Sequence, residues 1–182
     1  MLAVLVVVSA GCFGPAVGGS TLGMRTTSGL VRLTETSFGL LIYPCVERFV
    51  VSEVVLSAVD LGETHVILRE QYPTPVRPRD LIVSTDAAAQ PAVLGGVREI
   101  VNAELLDRFN NDDTYLTSID FDHFLRLDAF APDGTDVSGG SNLGDRFTVD
   151  VGRVTGLDLD PVRLDEVRCP DEDGPAWDVA TP

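Results

Sequence analysis

Carboxylate and imidazole side chains gather in one short segment of the chain, at Asp120, Asp122, His123 and Asp128. In a β-strand, carboxylates two residues apart share a face, where their repulsion raises the pKa of one or recruits a cation. The same alternation places His123 on the opposite face, among apolar neighbours. We therefore treat Asp120, Asp122 and His123 as candidate ligand-binding residues. The alternative is a solvated strand edge with one partly buried histidine.

Oxygen-bearing side chains also occur in two loops, which contain Asp133, Thr135, Asp136 and Asn142, and Asp158 and Asp160, respectively. Calcium prefers such ligands, but the spacing does not match the D-x-[DN]-x-[DN]-G pattern of a calcium-binding loop. Asp-Gly within Pro132-Asp133-Gly134 is typical of a hairpin turn. We therefore predict turns and no metal or other cofactor. A calcium site built from Asp133, Asp136, Asp158 and Asp160 is the alternative.

The sequence contains no recognisable catalytic motif. His65 and His123 lie in no hydrolase or metal-binding pattern. The segments Gly18-Gly19-Ser20 and Gly139-Gly140-Ser141 lack the second glycine of the G-x-S-x-G nucleophile turn. We therefore predict a non-enzymatic protein. The alternative is an enzyme or a small-ligand carrier whose site is assembled from loops.

The strongest signal lies near the start of the chain, where the apolar residues 2–8 lead into Ser9, Ala10, Gly11 and Cys12. The run is far shorter than the ~20 residues of a membrane span and has the length of a signal-peptide core. It resembles the bacterial lipobox, in which small residues precede a cysteine that becomes lipidated. The resemblance implies that residues 1–11 are removed and that Cys12 carries the lipid.

Two departures from this signal pattern are visible. Ser9 stands where the lipobox usually has an aliphatic residue, and no charged residue precedes Arg25, whereas signal peptides begin with basic residues. We therefore expect the true start of the protein to lie upstream of Met1. A buried N-terminal strand is the alternative, because residues 4–8 have strong strand propensity, and an ordinary cleaved signal is another.

The net charge of −15 limits the partners of the protein. An acidic chain without a basic patch does not displace counterions from phosphates, so nucleic acid is excluded. The same charge disfavours adhesion to anionic lipid headgroups. We expect a domain that is lipid-anchored on the outer face of the cell membrane and projects outward. Its partner would be another envelope or extracellular molecule.

Cys45 and Cys169 remain once Cys12 is assigned to lipid. In an oxidising exterior such a pair is expected to form a disulfide, here closing a loop of more than a hundred residues. The chain-entropy estimate for such a loop is ~4–5 kcal/mol. Metal binding is the competing interpretation, but two isolated cysteines without CxxC spacing are a poor zinc site.

The remaining pattern predicts a single mainly β domain. Residues 12–28 are rich in Gly, Ser and Thr and are expected to form a tether, and residues 171–182 an acidic disordered tail. Between them, residues 29–170 contain many short apolar strands separated by Gly, Pro and Asp turns. This pattern favours an antiparallel β-sandwich, immunoglobulin-like or related. Residues 97–109 are compatible with a short helix or with a strand pair.

The segments Tyr43-Pro44-Cys45 and Val167-Arg168-Cys169 resemble those of small actinobacterial lipoproteins of unassigned function. In these proteins, an apolar-Pro/Gly-Cys segment and an aliphatic-Arg-Cys segment bridge a β-sandwich. The resemblance spans residues 30–170. It implies a fold and a location, but no mechanism.

Overall fold

The computed structural model describes residues 28–42, 50–116, 123–137, 146–156 and 162–167. Within them lie nine strands, one α-helix and three short 3-10 turns. The regular elements are β1 (Ser28–Thr34), β2 (Ser37–Ile42), β3 (Val51–Asp60), β4 (Glu63–Val76), β5 (Ile82–Ser84), β6 (Val97–Ile100), α1 (Ala103–Asn111), β7 (His123–Phe130), β8 (Arg153–Gly156) and β9 (Val162–Arg163). The 3-10 turns are Pro78–Asp80, Arg146–Thr148 and Leu164–Glu166.

The strands form two antiparallel sheets that do not close into a barrel. Sheet A has the order β5-β2-β1-β8-β9, and sheet B has the order β6-β4-β3-β7. The predicted fold class, a mainly β antiparallel sandwich, is therefore confirmed.

The main core lies between the two sheets, where Leu30 and Leu40 of sheet A and Leu56 and Leu127 of sheet B belong to one buried cluster. Such a cluster supplies most of the hydrophobic stabilisation of a sandwich.

Sheet A is also covered on its other face. There Val31 and Leu41 pack with Leu164 and Val167 from the last described segment. This two-sided burial explains why β2 is apolar from Phe38 to Ile42, since neither face of the strand requires polar side chains. Gly39 lies within β2, and a Cβ atom there would collide with Cγ2 of Ile82 on the adjacent β5. Glycine at this position therefore leaves room for the Ile82 side chain.

Residues 97–109, for which helix and strand were both predicted, contain both. Val97–Ile100 pairs with β4, and α1 begins after Asn102, whose side-chain oxygen accepts a hydrogen bond from Leu105 N at 3.0 Å. This cap separates strand from helix, because an asparagine oxygen satisfies a free amide of the first turn.

Several strand boundaries differ from those that the sequence pattern favours. Pro73, Pro75 and Pro78 favour an extended loop over residues 72–79, yet β4 continues to Val76 through the first two of them. These two prolines lie beyond the four-residue pairing with β6, so a missing amide costs nothing on that side. The alternation of residue types favours a strand over residues 115–127. The structure has a turn at residues 113–116 and describes the strand from His123 onwards.

The predicted disulfide between Cys45 and Cys169 is wrong, because no two Sγ atoms lie at disulfide distance. Both cysteines lie outside the described residues.

Within the described part of the chain, no helix has the length and apolar character needed to cross a membrane. Cys12, the predicted tether and the predicted tail fall outside the described residues, apart from Ser28, which already belongs to β1. The predictions for these segments therefore stay predictions.

Candidate functional site

The predicted cluster of carboxylates and histidine is separated where the structure describes it. His123 is the first residue of β7 and Asp128 is the sixth, so their side chains point to opposite faces of sheet B. Asp120 and Asp122 lie outside the described residues. The structure therefore does not bring His123 and Asp128 together.

Asp128 belongs to a small ion-pair cluster on its own face of the sheet. Its carboxylate is largely buried and accepts a hydrogen bond from Arg126 Nε at 2.6 Å. Burial raises the pKa of Asp128, and the bond from Arg126 opposes that rise. The same guanidinium lies 3.5 Å from Asp136 Oδ2. Both carboxylates are therefore used to balance one arginine.

The candidate calcium residues that the structure describes form a turn. Asp133 Oδ1 accepts the Thr135 amide at 2.9 Å, and this bond lowers the pKa of the Asp133 carboxyl. Gly134 has φ +82°, as the turn chemistry predicted. No group of three His, Cys, Asp or Glu residues is placed to hold a metal ion among the residues described. Asn142, Asp158 and Asp160 lie outside them.

A different site is present at one end of the sandwich, where an open groove of about 510 Å³ separates sheet B from α1 and the turn after it. We call it the end groove. Its lining combines carboxylate, imidazole, guanidinium, amide and phenol groups with an apolar floor. The lining residues are Ala58, Asp60, His65, Asn102, Leu105, Arg108, Thr114, Tyr115 and Leu116.

Strand register places both histidines of the chain beside this groove. His65 of β4 lies opposite Ala58 of β3, and His123 of β7 lies opposite Asp60 of β3. Opposed residues point to the same face, as do residues two apart on one strand. His65, Asp60 and His123 therefore share the face of sheet B that turns toward the other sheet, at the end where β3 finishes.

The carboxylate of Asp60 contacts His123 directly, with 2.7 Å between Oδ1 and Nδ1. On the other side of β3, His65 Nε2 lies 3.8 Å from Glu63 Oε2. A histidine beside a carboxylate is able to hold or transfer a proton. Nucleophilic catalysis by a hydroxyl also requires that a base activates that hydroxyl. The aliphatic hydroxyl in the lining, that of Thr114, donates instead to Asp112 Oδ1 at 2.7 Å.

The helix supplies the cationic wall of the groove. The Arg108 guanidinium carbon lies 4.2 Å from the centroid of the Tyr115 ring, an arrangement that attracts a cation to an aromatic face. Asp112 follows α1, and hydrogen bonds from Thr114 lower the pKa of its carboxyl. Burial raises the pKa of Tyr115, so its phenol stays neutral at ordinary pH.

A buried arginine holds this wall in place. Arg146 is fully buried, and its guanidinium donates to the carbonyl oxygens of Phe109 at 2.9 Å, Asp112 at 3.0 Å and Tyr115 at 2.9 Å. These carbonyls belong to the end of α1 and the following turn, the segment that carries Arg108 and the rest of the wall. Burial lowers the pKa of Arg146 to about 10, which still leaves it charged at neutral pH.

Backbone strain is concentrated at the same end of the molecule. Leu61 has φ +48° and Leu116 has φ +51°, and no other non-glycine residue in the described ranges has a positive φ. Leu61 follows Asp60 in the two-residue turn between β3 and β4, and Leu116 lines the groove. Strained residues of this kind occur preferentially at binding and catalytic sites. The positive φ of Leu61 is what a two-residue hairpin turn requires. The strain at Leu116, which lines the groove, supports a functional end groove.

Replacement of Leu61 by asparagine is expected to raise the free energy of unfolding by about 0.5–1 kcal/mol, measured by urea denaturation. Asparagine adopts the left-handed conformation of this hairpin turn more readily than leucine, and the leucine side chain is largely exposed. Leu94→Asn is the matched control, since Leu94 is fully exposed and has no positive φ. A loss of stability in Leu61→Asn alone would show that the turn is not strained.

The end groove was not predicted from the sequence. The available signal was Leu61-Gly62 between two apolar segments, because a two-residue hairpin there places Asp60 and His65 on one face. The pairing of His123 with Asp60 depends on register between distant strands, and Arg146 is a single arginine outside any motif. Neither has a local sequence signature.

Comparisons of the chain with protein-family models, with curated proteins and with solved structures found no match. The resemblance to small actinobacterial lipoproteins with a disulfide-closed sandwich is therefore corrected on two counts: no relative supports it, and the disulfide is absent. The part that stands is the fold, a two-sheet antiparallel β-sandwich with a polar groove at one end.

Proposed function

We propose that the protein is a lipid-anchored extracytoplasmic domain with a non-catalytic binding role in the cell envelope. In this proposal Cys12 carries the lipid, and the end groove holds the partner or ligand. The observation that carries the location is the run of small residues before Cys12 that follows an apolar segment. The binding role is supported by an open groove that is lined by many polar groups and by Leu116, a residue of strained backbone.

The charge of the protein is consistent with this role. Its net charge of −15 disfavours contact with an anionic membrane surface. An anchored domain of this charge stands away from the headgroups and leaves its grooves accessible. Binding to nucleic acid is disfavoured for the same reason.

The anchor is tested by expressing the full chain in a bacterial host supplied with radiolabelled palmitate. We expect label in the unaltered protein and none in Cys12→Ala, which should also leave the membrane fraction. A single acyl chain binds membranes only marginally, whereas two or three hold firmly, so loss of the lipidated cysteine should change the distribution clearly.

Cys45→Ala is the matched control for this experiment, because it removes a cysteine outside the lipobox-like segment. It should retain both the label and the membrane association. Palmitate incorporation or persistent membrane association in Cys12→Ala would overturn the lipid anchor.

A second candidate function, catalysis or ligand carriage, is favoured by one contact. The Asp60–His123 pair, at 2.7 Å, has the geometry of a proton-transfer pair at the rim of a groove. Incubation of a bound ligand with the protein distinguishes the two functions. A binding domain returns the ligand unchanged, and an enzyme converts it at a rate that falls in His123→Gln.

A further inference from the structure

Two opposite charges in the end groove retain capacity to bind a ligand. Asp60 uses Oδ1 to contact His123, and its side chain is 56% exposed. Arg108 stacks on Tyr115, while its Nε lies 4.0 Å from Asp112 Oδ2, beyond hydrogen-bond distance. Asp112 Oδ1 already accepts both the amide and the hydroxyl of Thr114. The guanidinium donors of Arg108 are therefore open to an anionic group.

Asp60, Arg108 and Tyr115 all line the end groove, so the two charged groups lie in one site. Burial is the main cause of the raised pKa of Tyr115; the positive charge of Arg108 opposes the rise, and the negative charge of Asp60 adds to it. Between strand and helix, the apolar side chains of Ala58, Leu105 and Leu116 line the groove. The end groove therefore offers a negatively charged carboxylate, a positively charged guanidinium and an apolar surface together.

We infer that the end groove binds a small zwitterion with an apolar body, an amino acid or a short peptide with free ends. Its ammonium group would lie at Asp60, its carboxylate at Arg108 and its apolar side chain against Leu105 and Leu116. Charge-assisted hydrogen bonds of this kind are the strong ones in protein recognition. The inference rests on the binding role proposed above and names the ligand class for that site.

Other ligand classes fit the groove less well. A simple anion would be repelled by Asp60, and a simple cation by Arg108. A sugar is usually held against an open aromatic face, but the face of Tyr115 is covered by the Arg108 guanidinium, and the ring is largely buried. A ligand that carries both charges can pair with the Asp60 carboxylate and the Arg108 guanidinium at the same time.

The test is calorimetric titration of the full chain in detergent, whether or not it carries lipid, with leucyl-leucine, leucine, N-acetyl-leucyl-leucine and leucyl-leucine amide. We expect leucyl-leucine or leucine to bind, and the two blocked dipeptides to bind at least about tenfold more weakly than leucyl-leucine, since each loses one charge-assisted contact. The ratio of leucine to leucyl-leucine affinity distinguishes an amino-acid site from a peptide site.

Two variants assign each charge to its partner. Asp60→Asn should weaken leucyl-leucine binding and remove the penalty of N-acetylation, and Arg108→Gln should do the same for amidation. Glu35→Gln and Arg163→Gln are matched controls on exposed residues outside the groove and should bind as the unaltered protein does. Circular dichroism of each variant confirms that it is folded.

Equal binding of free and blocked dipeptides would overturn the ligand class while leaving a binding role for the groove. No binding of any of the four probes would overturn the inference as well. Neither result affects the palmitate experiment, and loss of the anchor would not affect the titration. The two proposals therefore fail separately.

Discussion

Replacement of Arg98 by methionine is expected to lower the free energy of unfolding by about 3–5 kcal/mol, because it leaves a buried carboxylate without its cation. Glu70 is fully buried, and its Oε1 lies 2.6 Å from Arg98 Nη1. The other oxygen accepts the Tyr72 hydroxyl at 3.0 Å and the Ala92 amide at 2.9 Å. Two neutral donors do not replace the lost charge. Urea denaturation measures the change.

Arg69→Met is the matched control for this prediction. Arg69 lies in the same strand as Glu70, but it is 37% exposed and its partners, Glu53 and Glu99, are surface residues. Exposed pairs of this kind contribute at most about 1 kcal/mol. A loss in Arg98→Met no larger than in Arg69→Met would contradict the prediction.

The double variant Glu70→Gln/Arg98→Met tests the stated cause. It removes both charges and keeps a side-chain oxygen that accepts from Tyr72 or Ala92. We expect it to be more stable than Arg98→Met alone, since the cost lies in the unpaired carboxylate. Equal stability of the two variants would assign the loss to packing of the arginine stem.

Replacement of Arg146 by methionine is expected to lower the free energy of unfolding by about 3 kcal/mol, as three buried carbonyls lose a charged donor. The change also removes a guanidinium that lies 4.9 Å from the Phe109 ring centroid and 4.8 Å from that of Phe147. Native-state hydrogen exchange of the variant is compared with that of the unaltered protein. The substitution should accelerate amide exchange more in residues 109–116 than in the central strand β3, because the three carbonyls belong to residues 109–116.

Arg153→Met is the control for the second prediction. The Arg153 guanidinium lies 3.8 Å from Asp150, and its side chain is 42% exposed, so its loss should cost less than about 1 kcal/mol. Unchanged exchange over residues 109–116 in Arg146→Met would show that other groups hold this segment. In that case Arg146 would not position the wall of the end groove.

The fold class was predictable because it depends on local patterns. Short apolar strands and Asp-Gly or Pro-rich turns are visible in the sequence, and they produced two antiparallel sheets. The bounds of individual strands were less predictable where both faces of a strand are buried. β2 is apolar from Phe38 to Ile42 because sheet A is covered on both faces, and the second covering comes from residues 164–167, more than a hundred positions away.

The candidate site was not predictable from the sequence, since its geometry depends on register between distant strands. Asp60 and His123 are 63 positions apart, and only the pairing of β3 with β7 brings them into contact. The disulfide prediction failed because a count of cysteines contains no information on the distance between two of them in the fold. Residues with the strongest local pattern, Asp133 and Gly134, proved to form an ordinary turn.

The outermost strands of sheet A, β5 and β9, have only three and two residues. Short terminal strands offer few free amides and carbonyls to a neighbouring chain and so discourage edge-to-edge aggregation. This matters most for proteins confined to a surface, where lipid anchoring raises the local concentration of copies. For a domain held in such a crowded layer, the short edges of sheet A would offer neighbouring copies few backbone groups with which to pair.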